Sequence, residues 1–309
     1  DVYKRQAVNN YGISLTITTG VAPLLFLQVL YQQYFYTATI LLAPIWFGML
    51  GLLIVGYYAA YLFKFRGAPS HGHGGGVWLT VSALMFFLIA MIHVAVNLVS
   101  SQPGKWSGIA EDRWQVLSDP TFWPRLLHFV FAGIAFAALV ACWWAVRQAS
   151  LGEDVDVNTS IARHTWQWAL WTTVLQVVDG FLLLMVLPQS VLRGFMSGGL
   201  ATLGPLTLAI LLGIGLLVML ARATNPVEKP GLVTGVLGTM TLAIAIMSVT
   251  RHQVRMLYLE PATSQYTLQV VPQWGNFVLF ALLLVAGLAT VAYMVWRVLG
   301  SPATGADAA

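Results

Sequence analysis

Long apolar runs separated by short polar connections dominate this sequence of 309 residues. A bilayer core about 30 Å thick needs about 20 consecutive apolar residues in a helix. Eight runs approach or exceed that length, at 12–31, 36–63, 77–100, 121–146, 164–187, 199–222, 231–250 and 275–298. The sequence therefore predicts an all-α, polytopic integral membrane helix bundle of about eight transmembrane helices, in contact with membrane lipid.

Charge is scarce and dispersed. Only 8% of the residues are charged and 58% are hydrophobic, whereas soluble domains have about 25% charged residues, which excludes an ordinary water-soluble enzyme. The formal net charge of +4 is small and dispersed along the chain, so we expect no nucleic-acid binding. The single cysteine, Cys142, allows no intramolecular disulfide and no cysteine-based zinc or iron–sulfur site.

The domain organisation follows from the apolar runs. Residues 11–300 are predicted to form one transmembrane helical domain, after an N-terminal segment at 1–10 and before a disordered tail at 301–309. The first six residues, DVYKRQ, resemble translated sequencing-adapter sequence and receive no structural weight. Eight spans place both termini on one side, and a slight excess of Lys and Arg there favours cytoplasmic termini.

Two histidines lie within apolar runs, where ionisable groups are costly and are functional candidates by default. His93 lies seven residues before the end of the third run, and His128 lies seven residues after the start of the fourth. Both are therefore about 10 Å from the same membrane surface, where antiparallel neighbours can hold one haem iron between two imidazoles. The alternative is a packing histidine that bonds to a nearby hydroxyl or carbonyl. Asn97, one turn after His93, serves either the same polar site or a helix contact.

One face of the fourth run supports a cofactor site. Arg125, His128, Ala132 and Ala135 share this face at helical spacing. The cationic Arg125 lies toward the surface, where haem propionates would lie. The small residues lie inward, where a flat macrocycle needs room.

Asp179 lies near the middle of the fifth run. A carboxyl in apolar surroundings tends to be protonated, so Asp179 is a candidate proton relay or counter-ion. A neutral, purely structural aspartate is the alternative.

Arg251 and Arg255 lie one turn apart at the exit of the seventh run. They are candidates to clamp haem propionates or a quinone headgroup, although arginines at helix ends also snorkel to the membrane surface. Near the first run, Gln28, Tyr31 and Gln32 share a helical face. They either line a quinol pocket or form a polar helix end.

Five segments of the chain have the character of one known family of respiratory proteins. They are YGISLTITTGVAPLLFLQ at 11–28, LIAMIHVAVNLVSSQPG at 88–104, DPTFWPRLLHFVFAGIAFAALVACWWAVR at 119–147, LQVVDGFLL at 175–183 and SVTRHQVRMLYL at 248–259. In this order they resemble subunit I of the cytochrome bd-type quinol oxidases. The resemblance extends over most of the chain, with few matching residues in each segment. It matches the eight runs to the family's helices two to nine. It implies that His128 stands at the family's low-spin haem b histidine.

The sequence also departs from this family. The second run contains no glutamate, although the family places essential glutamates there, and Ser248 stands where a further glutamate is expected. Of the family's Gly-Arg-Gln-Pro-Trp segment only Arg251 matches firmly, and the long quinol-binding loop is reduced to about 188–198. The family's first helix, with its high-spin haem histidine, has no matching segment. These departures argue against an oxygen-reducing haem pair.

The resemblance also offers a second haem ligand. The family uses a methionine shortly after an arginine, and Arg193 and Met196 are the nearest equivalents, with His93 as the competing ligand. The resemblance thus implies haem b, one or more, bound by His128 with His93 or Met196 opposite.

The function implied is that of an integral-membrane b-type cytochrome in the bacterial inner membrane. Such a subunit, rather than a complete enzyme, would move electrons between the quinone pool and a partner of the respiratory chain. That partner would be a c-type cytochrome or another redox subunit. The alternatives are a cofactor-free scaffold or proton-coupled transporter, and a divergent bd-like terminal oxidase subunit.

Overall fold

A computed structural model describes residues 20, 24–66, 75–263 and 273–300 of the chain. Within these ranges the backbone is almost entirely helical, and the described residues contain no β-strand. The chain divides into two compact units, residues 1–263 and 264–309.

The larger unit begins, in its described part, with a helical stretch at 24–30. It continues with α1 (Gln32–Leu41), α2 (Ala43–Arg66), α3 (Gly75–Ser101), α4 (Trp106–Glu111), α5 (Phe122–Ser150), α6 (Val155–Val186), α7 (Gln189–Ser197), α8 (Leu200–Ala221) and α9 (Pro230–Thr263). Short 3-10 turns lie at Pro103–Lys105, Arg113–Ser118 and Pro226–Glu228. The second unit contains α10 (Trp274–Gly300).

Seven of the described helices, α2, α3, α5, α6, α8, α9 and α10, are long and apolar enough to cross a membrane. Their outward faces expose many leucine, valine and phenylalanine side chains, as lipid contact requires. The prediction of an all-α, polytopic membrane bundle is confirmed. The first predicted span, 12–31, lies mostly outside the described residues, as do the segment 1–10 and the tail 301–309.

The second predicted span differs from the structure. The run at 36–63 is divided at Leu42 into α1 and α2. Pro44 explains the break, because proline has no backbone N–H to donate to the carbonyl oxygen of Ile40 and its ring crowds that carbonyl.

Two other helices extend beyond their apolar runs. α6 begins at Val155 rather than at 164, and α9 continues to Thr263 rather than ending at 250. Arg251 and Arg255 therefore lie inside a helix and not at its exit. Hydropathy alone misses such extensions because polar residues interrupt the apolar run, although buried Leu259 continues the packed face.

The larger unit has two large apolar cores and a smaller cluster around α7. One large core lies among α5, α6, α8 and α9, where Ala138, Ala162 and Ala169 are buried beside Trp166 and Leu220. Small residues at such positions let helix backbones approach closely. The other core joins α1, α3 and the start of α5, with the intervening segment 102–121 packed against it.

The connections near the site are short and anchored. α5 and α6 form an antiparallel hairpin, and Gly152 in their turn has φ of +80°, a conformation that favours glycine. On the opposite side, the amphipathic helix α7 buries Val191 and Phe195 against Leu257 and Tyr258 of α9. This packing places the second half of α9 beside the start of α5.

Candidate functional site

His128 of α5 and Asp179 of α6 face each other inside the bundle. His128 Nδ1 lies 3.4 Å from Asp179 Oδ2, and the two side chains are 14% and 7% exposed. Both atoms are buried, and neither completes a hydrogen bond of good geometry. The sequence placed both residues among the site candidates, and the structure brings them together.

Gly180 makes this approach possible. A Cβ built on Gly180 would stand 3.2 Å from His128 Cε1 and 3.7 Å from His128 Nδ1. The Nδ1–Cε1 edge of the imidazole therefore contacts a helix surface that has no side chain at that point. Because Nδ1 faces Asp179, Nε2 at the opposite edge of the ring is the nitrogen left for a ligand.

Three arginines cluster near His128, and each packs on an aromatic ring. The guanidinium carbon of Arg125 lies 5.9 Å from the ring centre of Tyr258. That of Arg251 lies 5.0 Å from the ring centre of Phe129. The third guanidinium carbon, of Arg255, lies 4.8 Å from the ring centre of Tyr31. These distances are typical of cation–π contacts. Arg125 is buried, Arg255 is half-buried and Arg251 is exposed.

Asn97 of α3 joins two of these guanidinium groups. The Asn97 amide is oriented with its oxygen toward the two guanidinium groups, because only this orientation satisfies both donors. The oxygen then accepts from Arg251 Nη2 at 3.1 Å and from Arg255 Nη2. The structure therefore gathers the predicted residues Asn97, Arg125, Arg251 and Arg255 in one cluster.

Two further polar groups border the cluster. Tyr31 Oη lies 3.3 Å from His252 Nδ1, which ties the segment before α1 to α9. Tyr258 Oη is buried without a hydrogen-bond partner of good geometry. Sequence reasoning did not identify Tyr258. The available signal was its spacing from Arg251 and Arg255, which puts all three on neighbouring turns of one helix.

His93 has different neighbours from His128. Its side chain is exposed, its Nδ1 lies 2.9 Å from the carbonyl oxygen of Ile89, and its ring packs edge-on against Trp46 of α2. Since a carbonyl oxygen only accepts, Nδ1 carries the proton and Nε2 is free to bind a metal. The two imidazoles thus contact different helices.

The second proposed ligand, Met196, lies on α7 and is 75% exposed. Its neighbour Arg193 is also exposed. The buried face of this helix consists of Val191 and Phe195 instead. Met196 is therefore not packed into the core beside His128.

A cleft of about 450 Å³ opens beside the arginine cluster. Its lining includes Lys105, Asp119, Thr121, Pro188 and Tyr258. Lys105 Nζ lies 2.6 Å from Asp119 Oδ2. The cleft thus combines a wall of apolar and proline side chains with an ion pair.

Asp119 anchors the start of α5. Its Oδ1 accepts from Thr121 N at 2.9 Å and from Thr121 Oγ1 at 2.6 Å. Burial raises the pKa of Asp119, but the hydrogen bonds from Lys105 and Thr121 outweigh it, so the pKa lies below the ordinary value. This carboxylate fixes the entry into the helix that carries Arg125 and His128.

Within the described ranges, no three His, Cys, Asp or Glu side chains converge as a metal site. A haem iron takes only one or two axial ligands from protein, so the His128 geometry is compatible with haem. Comparison with protein-family models, curated proteins and solved structures finds no match for this chain.

Proposed function

We propose that this chain is an integral-membrane b-type cytochrome that transfers electrons between the quinone pool and a redox partner. The observation that carries this proposal is the geometry of His128, whose Nδ1 faces the buried Asp179 carboxyl while Nε2 remains available. We place the protein in the bacterial cytoplasmic membrane with cytoplasmic termini, and a c-type cytochrome or another redox subunit as partner.

The residues present fit a haem. Histidines that bind metal commonly donate their other ring N–H to a carboxylate, which fixes the ring and makes the ligating nitrogen more basic. Asp179 is positioned for this role, and Gly180 leaves space for the ring. Bound at His128, haem b would supply a one-electron redox centre. Asp179 would then hold the imidazole in the tautomer that ligation needs.

The second axial position has two candidates. His93 has its Nδ1 on a backbone carbonyl and a free Nε2, which is the chemistry of a ligand. Met196 is the alternative, and its exposure requires α7 to rearrange for ligation. His93 is exposed as well, so ligation by either residue requires its helix to adjust when haem enters, and both remain candidates.

A proton-coupled transporter without a cofactor is the second candidate function. The same His128–Asp179 pair favours it, because a buried pair of protonatable groups within a membrane span is typical of proton relays. The two functions make opposite predictions for haem content.

The deciding experiment is a pyridine haemochrome assay on the purified protein, combined with reduced-minus-oxidised spectra. We expect about one haem b per chain, with loss of the haem signal in His128→Ala. His164→Ala is the matched control, because His164 lies on α6 and bonds to exposed Trp168 rather than to the site. Its haem content should equal that of the wild type.

Two results would contradict the proposal. Wild-type protein without haem b, purified from cells with an ample haem supply, would favour the transporter. A His128→Ala spectrum identical to the wild type would remove His128 as the ligand. Separate His93→Ala and Met196→Leu variants then identify the second ligand by which of them changes the spectrum.

A further inference from the structure

The arginine cluster is built by reciprocal contacts between two helices. Arg125 of α5 packs on Tyr258 of α9, and Arg251 of α9 packs on Phe129 of α5. Stacking on a ring leaves the N–H edges of a guanidinium directed away from that ring. The arrangement therefore presents donors in fixed orientations.

No carboxylate forms an ion pair with this cluster in the described part of the chain. The ion pairs found there are Lys105–Asp119 and His128–Asp179, and neither includes the three arginines. The Asn97 oxygen accepts from Arg251 and Arg255 but brings no negative charge. Asp119 attracts the charge of Arg125 but forms its own ion pair with Lys105, so none of the three arginines has an ion-pair partner among the described side chains.

Snorkelling does not account for Arg125. A snorkelling arginine extends its charged end into water, whereas Arg125 is 9% exposed and its Nε is buried without a hydrogen-bond partner. A buried and unpaired donor on a charged group costs free energy unless an acceptor reaches it. The Tyr258 hydroxyl lies beside the Arg125 guanidinium, and an acidic ligand that reaches Nε would supply the missing acceptor there.

Two residues of the cluster lie near the ends of apolar helices. Arg125 lies in the first turn of α5, and Asn97 lies in the last turns of α3. With a rise of about 1.5 Å per residue, both lie within about 6 Å of these helix ends. Acidic groups of a membrane-bound ligand reach this depth.

The donors fall into two groups. Arg251 and Arg255 are joined through Asn97, while Arg125 lies beside the buried Tyr258 hydroxyl. We propose that these two groups form one binding site for a ligand with two acidic oxygen groups. The ligand is either a porphyrin, which would bind through its two carboxylates, or a cardiolipin-type lipid, which would bind through its two phosphates. The porphyrin source rests on the proposed function, and the lipid source does not.

Arginine suits this chemistry because its planar fork binds a carboxylate or a phosphate with two parallel hydrogen bonds. Basic pockets between transmembrane helices bind headgroups of lipids with two phosphates at the cytoplasmic side of membranes, and the same donor chemistry operates at the opposite surface. The proposal explains why Arg125, whose burial is costly, lies together with Arg251 and Arg255 at one point of the bundle.

The test compares wild-type protein with Arg251→Gln, Arg255→Gln and Arg147→Gln. Arg147 is the matched control, because it also packs on a ring, Trp143 at 5.9 Å, but lies at the other end of α5. Each variant is assayed for haem retained through purification. Each is also assayed for its thermal midpoint in vesicles of phosphatidylcholine alone or with cardiolipin.

For the porphyrin source, we expect retained haem to fall several-fold in Arg251→Gln and Arg255→Gln but not in Arg147→Gln. For the lipid source, cardiolipin should raise the wild-type midpoint by about 5 °C, and this rise should disappear in the same two variants. The proposal is overturned when neither haem retention nor the cardiolipin shift depends on these arginines. A negative haemochrome assay with a positive lipid result refutes only the proposed function.

Variants that keep the positive charge serve as controls for misfolding. Arg251→Lys and Arg255→Lys retain the positive charge but lose the two-pronged geometry. We expect them to fold and to bind the same ligand several-fold more weakly than the wild type. If both lysine variants bind the ligand as tightly as the wild type, positive charge alone is sufficient for binding. That result would overturn the proposal.

Discussion

The imidazole of His128 lies directly on the surface of α6 at Gly180, where a Cβ would stand 3.2 Å from His128 Cε1. Gly180→Ala should therefore push the ring away from Asp179. Alanine is more favourable than glycine within a helix by up to about 1 kcal/mol. A loss of haem binding in this variant would therefore not come from helix propensity. We expect an altered haem spectrum or lower haem retention, measured by reduced-minus-oxidised spectra.

Gly133→Ala is the control for this change. Gly133 lies on α5, and a Cβ there would meet nothing within 4 Å. That variant should retain the wild-type spectrum. If Gly180→Ala also retains it, the contact between His128 and α6 has no part in the site.

A second prediction concerns Asn97. Asn97→Asp would place a carboxylate between Arg251 and Arg255, where the amide oxygen now accepts their hydrogen bonds. This built-in anion should compete with an external acidic ligand, because charge-assisted hydrogen bonds are about twice as strong as neutral ones. We expect several-fold weaker retention of the ligand in a folded protein, measured by haem content and by the cardiolipin shift.

Asn97→Leu separates charge from packing in that experiment. It removes the acceptor without adding a charge, so ligand retention should fall less than in Asn97→Asp. Equal effects of the two substitutions would show that shape, and not charge, governs the cluster.

Much of the fold could be predicted from the sequence, because a bilayer imposes a minimum apolar length on each helix. The start of α6 and the end of α9 could not be predicted, because their polar turns carry no hydropathy signal and are held in place by packing. The break at Leu42 had a local signal in Pro44. Helix ends are thus predictable where a single residue determines them.

The candidate site could be predicted only in part. His128, Asp179 and the arginines stand out because ionisable groups are rare in apolar runs. Their partners depend on how each helix rotates about its axis, which one sequence does not specify. That rotation brings Asp179 to His128 and Tyr258 to Arg125. It also turns His93 toward Trp46, away from the neighbours of His128.

The core between α6 and α8 depends on Trp166. This side chain is 2% exposed, and its Nε1 donates to the carbonyl oxygen of Leu220 at 3.0 Å. That carbonyl lies in the last turn of α8, where no intrahelical donor remains. Trp166→Phe should lower the free energy of unfolding by about 1–3 kcal/mol, measured by denaturant unfolding in detergent.

Trp168→Phe is the matched control for that loss. Trp168 Nε1 bonds to His164 Nε2 at 3.0 Å, but the ring is exposed. We expect a change within about 0.5 kcal/mol. Similar losses in the two variants would contradict the assigned role of the Trp166–Leu220 hydrogen bond.

The last prediction concerns pH and the entry into α5. Because the folded-state pKa of Asp119 is lowered, the carboxylate stabilises the fold above its unfolded pKa of about 3.9. This stabilisation is lost as the pH falls below about 4 and through the folded pKa. The thermal midpoint of the wild type should therefore drop in that window more steeply than that of Asp119→Asn.

Thr121 should contribute more than Lys105 to the stability that the Asp119 carboxylate provides. Lys105 is 57% exposed, and solvent screens such pairs, so Lys105→Met should cost no more than about 1 kcal/mol. Thr121 is buried and donates two hydrogen bonds to Asp119. Thr121→Val removes the hydroxyl donor and should cost about 1–3 kcal/mol. A larger loss in Lys105→Met than in Thr121→Val would reverse this assignment and make the ion pair the anchor of α5.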